Sequence, residues 1–137
     1  MIFGNKNKKR ILVIDDEDDV CQIIKEQFEL LGHQVLIAYE GIEGFEKTIQ
    51  EKPDCVILDI FMPGGEDGIT YLRKIRSYSS DNLQEQARIR ETPVIVLTGT
   101  GVSKQAMFEA EGISGFIQKP FNLTNMRTKV ENILKLP

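Results

Sequence analysis

Asp15-Asp16-Glu17 follows the apolar run Ile11-Leu12-Val13-Ile14, and Asp59 follows Val56-Ile57-Leu58. Two further apolar runs lead to polar groups that can hold an anion. Val94-Ile95-Val96-Leu97 stops at Thr98, and Gly115-Phe116-Ile117 passes through Gln118 to Lys119. Carboxylates gathered in a partly desolvated cleft repel one another and raise each other's pKa. A hard divalent cation relieves that repulsion. Mg²⁺ takes oxygen ligands and keeps some waters, so one or two carboxylates and a carbonyl from the protein suffice. A hydroxyl and an ammonium opposite the cation would satisfy the other oxygens of an incoming phosphoryl group. The chemistry implied is phosphoryl transfer at a carboxylate, provided the chain brings these strand ends together.

Short apolar runs rich in branched residues are typical of strands buried on both faces of a parallel sheet. Residues 11–14, 56–58 and 94–97 fit that pattern, with weaker flanking strands at 35–38 and 115–117. Amphipathic stretches alternate with them. Val20, Ile24, Phe28 and Leu31 precede a stop at Gly32; Ile42, Phe45 and Ile49 precede Pro53. Ile69, Leu72 and Ile75 follow a start near Asp67, and a fourth helix is expected from the cap Ser103 to Gly112. Leu123, Met126, Val130 and Ile133 follow the cap Asn122. This alternation predicts an α/β fold of the flavodoxin-like kind. Its doubly wound, five-stranded parallel sheet has order 2-1-3-4-5, with helices on both faces. Such sheets bind ligands beyond the carboxyl ends of the strands, where the strand order reverses. Asp15, Asp16 and Asp59 stand there.

Composition narrows the partners. The 137 residues are enough for one domain with a real core. Seventeen Lys and Arg against 21 Asp and Glu give a net charge of −4, which points away from direct nucleic-acid binding. No apolar run approaches a membrane span, and residues 1–10 lack the apolar core of a signal peptide, so a cytoplasmic location is expected. Cys21 and Cys55 fit no metal or redox spacing and are expected to fill core space. His33, just past a helix stop, is read as a turn residue, and Lys6, Lys8, Lys9 and Arg10 as a solvated lead-in.

The segments ILVIDDE, VILDIFMP, VIVLTGT and FIQKPF together resemble the receiver domain of two-component response regulators. The resemblance makes residues 10–135 the receiver domain and residues 1–9 a lead-in. It implies that Asp59 is the phosphoacceptor, that Asp16 ligates Mg²⁺ directly and that Asp15 helps through water or a hydrogen bond. The backbone carbonyl of Phe61 would complete the protein's ligands. Thr98 would hydrogen-bond the bound phosphoryl group, and Lys119 would pair with its charge. Thr98 and Phe116 fall at switch positions, and Lys119-Pro120 at the family's cis peptide. Phe61 and Thr100 flank the path of the water that hydrolyses the aspartyl phosphate; neither offers an amide or carboxylate to orient it, so slow self-dephosphorylation is implied. The expected phosphodonor is a sensor histidine kinase, a phosphotransfer protein or a small phosphodonor. The chain would catalyse its own Mg²⁺-dependent phosphorylation rather than turn over an external substrate.

Three features depart from the family pattern. The MPGGEDG loop is one residue longer than usual, which Gly64 and Gly65 can absorb. SYSSDNLQEQARIRET, within residues 77–92, lengthens the third helix and its exit, as an extra turn, loop or partner surface on the side opposite Asp59. GISGF lacks the acidic pair that many DNA-binding regulators carry there. Two rival readings use the same architecture. A flavodoxin-like nucleotide or FMN carrier needs a phosphate-cradling loop after strand 1, where this chain has the anionic DDEDD. A phosphorylation-independent interaction module would not need all the acceptor residues that are present.

Overall fold

A computed structural model of the chain describes residues 8–60, 62, 67–99 and 112–135. Strands β1 (Arg10–Ile14), β2 (Gln34–Ala38), β3 (Cys55–Asp59), β4 (Val94–Thr98) and β5 (Gly115–Gln118) pair in parallel in the order β2-β1-β3-β4-β5. This is the order expected from the sequence. The described helices are α1 (Asp18–Leu30), α2 (Gly41–Glu51), α3 (Asp67–Arg76), α4 (Leu83–Arg90) and α5 (Leu123–Leu134). Residues 103–111 of the helix expected to run from Ser103 to Gly112, and Phe61 and Thr100 with the roles expected of them, lie outside the described residues.

Successive side chains of a strand point to opposite faces, so the apolar runs must serve two cores. Leu12, Ile14, Val56, Leu58, Val94 and Val96 form one with Tyr71, Leu72 and Ile75 of α3. Ile11, Val13, Cys55, Ile57, Ile95 and Leu97 form the other with α1 and α5 through Ile24, Phe28, Met126 and Val130. The register Leu12↔Val56↔Val94 keeps like faces aligned across the central strands. Each fully buried aliphatic side chain contributes about 1.5–3 kcal/mol, so among the described residues the three central strands carry a large share of the burial energy. Both cysteines are buried in the second core. Burial pushes each thiol up to about 12, with nearby acidic charges adding to the shift.

The insertion differs from expectation. α3 ends at Arg76, and residues 83–90 form a separate helix rather than an extension. Asn82 caps it, its side chain accepting the Glu85 N–H at 3.1 Å. Ile89 is its one buried residue, while Leu83 is exposed. Polar bonds hold the rest: Arg76 donates to the carbonyls of Arg90 and Thr92 at 2.9 Å, and Arg90 Nε donates to the Tyr78 carbonyl at 2.6 Å. A helix anchored by arginines rather than an apolar stripe leaves little periodic signal to read. His33 also proves less peripheral than a turn residue. It is buried, and its Nδ1 accepts the Lys9 N–H at 3.1 Å.

Candidate functional site

Backbone ladders continue just past the strand ends and fix the residues immediately beyond them. The Asp15 N–H bonds the Ala38 carbonyl at 3.1 Å, the Ile60 N–H bonds Leu97 at 3.1 Å, and the Lys119 N–H bonds Thr98 at 2.7 Å. Asp15, Asp59 and Thr98 are therefore each held on or beside the last rung of a buried strand, and Lys119 just past the half-buried edge strand β5. The peptide bond between Lys119 and Pro120 is cis, as the resemblance implied. α1 starts immediately beyond the acidic run. Asp18 and Asp19 occupy its first turn, where the helix dipole favours negative charge. Cys21 Sγ donates to the Asp15 carbonyl at 3.3 Å, and the Tyr39 hydroxyl donates to Asp18 at 2.6 Å. These contacts tie the acidic loop to α1 and to the end of β2.

Lys119 is at the centre of the cluster. Its ammonium donates to Asp15 Oδ2 at 3.1 Å and Asp59 Oδ2 at 3.3 Å, and lies 3.7 Å from Glu17 Oε1. The Asp15 and Asp59 side chains are almost wholly buried, whereas that of Glu17 is exposed. Burial, with the charge of Asp59 adding to it, raises the Asp15 carboxyl to about 6, against the opposing Glu17 N–H and Lys119. For Lys119, burial acts downward, but the charges of Asp59 and Asp15 outweigh it and raise the pKa. One ammonium shared by two buried carboxylates leaves a net negative pocket.

A hard cation fits that pocket. Asp15, Asp16, Glu17 and Asp59 each offer a carboxylate oxygen, all within 4.8 Å of one another. An all-oxygen donor set of this charge suits Mg²⁺ rather than a softer metal. Of the residues singled out from the sequence, Asp15, Asp16, Asp59 and Lys119 thus come together, with Glu17 in addition. Its place after the paired aspartates was visible, but only the turn into α1 brings its carboxylate to Lys119. Thr98 is fully buried at the end of β4. Phe116, on β5, is half-buried.

The model of the response regulator receiver domain family matches residues 11–131. Response regulator MprA of Mycobacterium ulcerans is 29% identical over 127 residues, which cover 92% of this chain and 50% of that protein. The DNA-binding dual master transcriptional regulator RpaA of Synechocystis is 28% identical, with 92% and 49% covered. The chain spans about half the length of the curated relatives it matches. The crystal structure of a two-component response regulator from Clostridium difficile superposes with a TM-score of 0.79 at 28% identity, covering 94% of this chain and 98% of that one. Strand order, the carboxylate pocket beside Lys119 and these matches agree: the chain belongs to the response regulator receiver domain family.

Proposed function

We propose that Asp59 accepts a phosphoryl group from a partner's phosphohistidine or a small phosphodonor, within a receiver domain spanning residues 10–135. The convergence of Asp15, Asp16, Asp59 and Lys119 at one sheet edge carries this reading. A carboxylate nucleophile needs no general base. An Asp59 oxygen attacks phosphorus in line, and the new O–P bond forms as the donor's P–N bond breaks, or its P–O bond in acetyl phosphate, with the freed imidazole or acetate taking the electron pair. Asp15, Asp16 and the Phe61 carbonyl would hold Mg²⁺, with Asp59 itself completing the protein's ligands. When bound, Mg²⁺ neutralises charge on the acceptor and the transferring group. Lys119 moves its charge from the carboxylates to the phosphoryl oxygens, and Thr98 donates its hydroxyl to them. Thr98 and Phe116 would then carry the change to a protein-binding surface. The kinase or phosphotransfer partner, and a cytoplasmic setting, follow from the same reading. Among the described residues no helix is long and apolar enough to cross a membrane.

The test is intact-mass measurement after incubation with acetyl phosphate and Mg²⁺. One added phosphoryl group is expected, absent in Asp59→Asn and absent with chelator. Unchanged labelling in Asp59→Asn overturns the assignment.

A further inference from the structure

We infer that the amino end of the sheet carries a second site, a basic cleft bordered by α4 that takes an acidic peptide segment of a partner protein. The cleft is open to solvent and offers about 600 Å³, within the range of ligand-binding clefts. Lys8, Lys9, Arg10, Lys52 and Arg88 line it, in a chain whose net charge is −4. The carboxylates beside them orient the arginines. Arg10 Nη1 donates to the Glu51 carbonyl at 2.8 Å and lies 3.7 Å from its carboxylate. Arg88 Nη2 donates to the Lys52 carbonyl at 2.8 Å and to Asp54 Oδ1 at 3.1 Å, while Asp54 Oδ2 accepts the Arg10 N–H at 2.8 Å. Both arginine side chains still expose 48% of their surface, so each guanidinium is held in place yet open to a ligand. Among the described residues no ion pair engages the ammonium of Lys8 or Lys9.

A guanidinium presents paired N–H groups that match a carboxylate, and fixing it beforehand reduces the ordering cost of binding. The same geometry disfavours a nucleic acid. Glu51 and Asp54 interrupt the row of cations and would repel an evenly charged phosphate backbone. A peptide can space its acids to avoid them, and Gln34 and Gln50 in the same lining offer amides to its main chain. The receiver chemistry uses none of these residues. Arg10 opens β1 and Asp15 follows its end, so a strand length of roughly 17 Å separates the two sites. The insertion supplies Arg88, and its polar anchoring gives the cleft a fixed wall.

The test uses the whole chain and a short fluorescein-labelled peptide of alternating glutamate and serine, followed by anisotropy at low and physiological salt. Saturable, salt-sensitive binding is expected. Lys8→Glu and Arg88→Gln should each weaken it roughly 3–10-fold. Lys25→Glu on α1, across the sheet, makes the same change in net charge as Lys8→Glu and should leave binding unchanged. Lys8→Glu should keep full labelling of Asp59 by acetyl phosphate, which separates this site from the phosphoryl site. Three outcomes overturn the proposal: no saturable binding, equal weakening by Lys25→Glu, or tighter binding of a single-stranded oligothymidylate of matched length.

Discussion

Gly68 tests how tightly α3 is seated on β3, the strand that ends in Asp59. A Cβ placed there would lie 2.9 Å from the Asp59 carbonyl oxygen, 3.1 Å from Ile60 Cα and 2.8 Å from Ile60 Cδ1. The methyl group of Ile60 can rotate away. The other two atoms are main chain, and the Ile60 N–H is already bonded to the Leu97 carbonyl at 3.1 Å. In Gly68→Ala, either α3 retreats by several tenths of an ångström or the exit from β3 distorts. Overpacking of this kind costs about 1–3 kcal/mol. The better helix propensity of alanine offsets at most about 1 kcal/mol of it. Taking the full offset, a net loss of up to about 2 kcal/mol lowers Tm by up to about 8 °C for a domain of this size. The variant stays folded at 25 °C, yet the displaced carbonyl belongs to Asp59, the proposed acceptor, so labelling by acetyl phosphate should slow as well. Circular-dichroism melting and timed intact-mass measurements read both effects. A Tm at or above wild type with unchanged labelling refutes the close contact.

Asp16→Ala should weaken Mg²⁺ binding roughly 10–100-fold by calorimetry, whereas Lys119→Ala should leave it unchanged or tighter by removing a nearby like charge; equal losses would contradict their separate roles. Burial holds the His33 imidazole below its usual pKa, and only the neutral ring can accept the Lys9 N–H. The stability this contributes is present above the unfolded pKa of about 6.5 and is lost as pH falls below it. Asp15 acts oppositely, since a carboxyl raised to about 6 gains stability on protonation. Urea melts at pH 7 and pH 5 should therefore show a larger acid-side loss, or a smaller gain, in wild type than in His33→Gln; equal differences would exclude the mechanism. If Phe61 shields the aspartyl phosphate, Phe61→Asn and Phe61→Ala should speed its decay, and a tenfold change needs only about 1.4 kcal/mol; unchanged decay in both removes Phe61 from that role.

The strands, their order and the acidic pocket were legible in the sequence because their signals are local. A strand buried on both faces must be apolar throughout, so an aspartate that ends one stands out, as Asp59 does after Cys55–Leu58. Right-handed crossovers then leave few ways to order five such strands. Caps and stops are local too: Asn122 accepts the N–H groups of Thr124 and Asn125, and Gly32 takes a φ of 92°. Tertiary structure alone decided features that depend on groups distant in sequence. Lys119 stands between Asp15 and Asp59 across separations of 104 and 60 residues, and it is these contacts that set the charge balance of the pocket. α4 was missed because one buried isoleucine and arginines bonded to distant carbonyls leave no periodicity. Hydrophobic burial repeats with the geometry of its own element and is therefore written into the local pattern. Hydrogen bonds and ion pairs between elements carry no such period, and become visible only when the chain has folded.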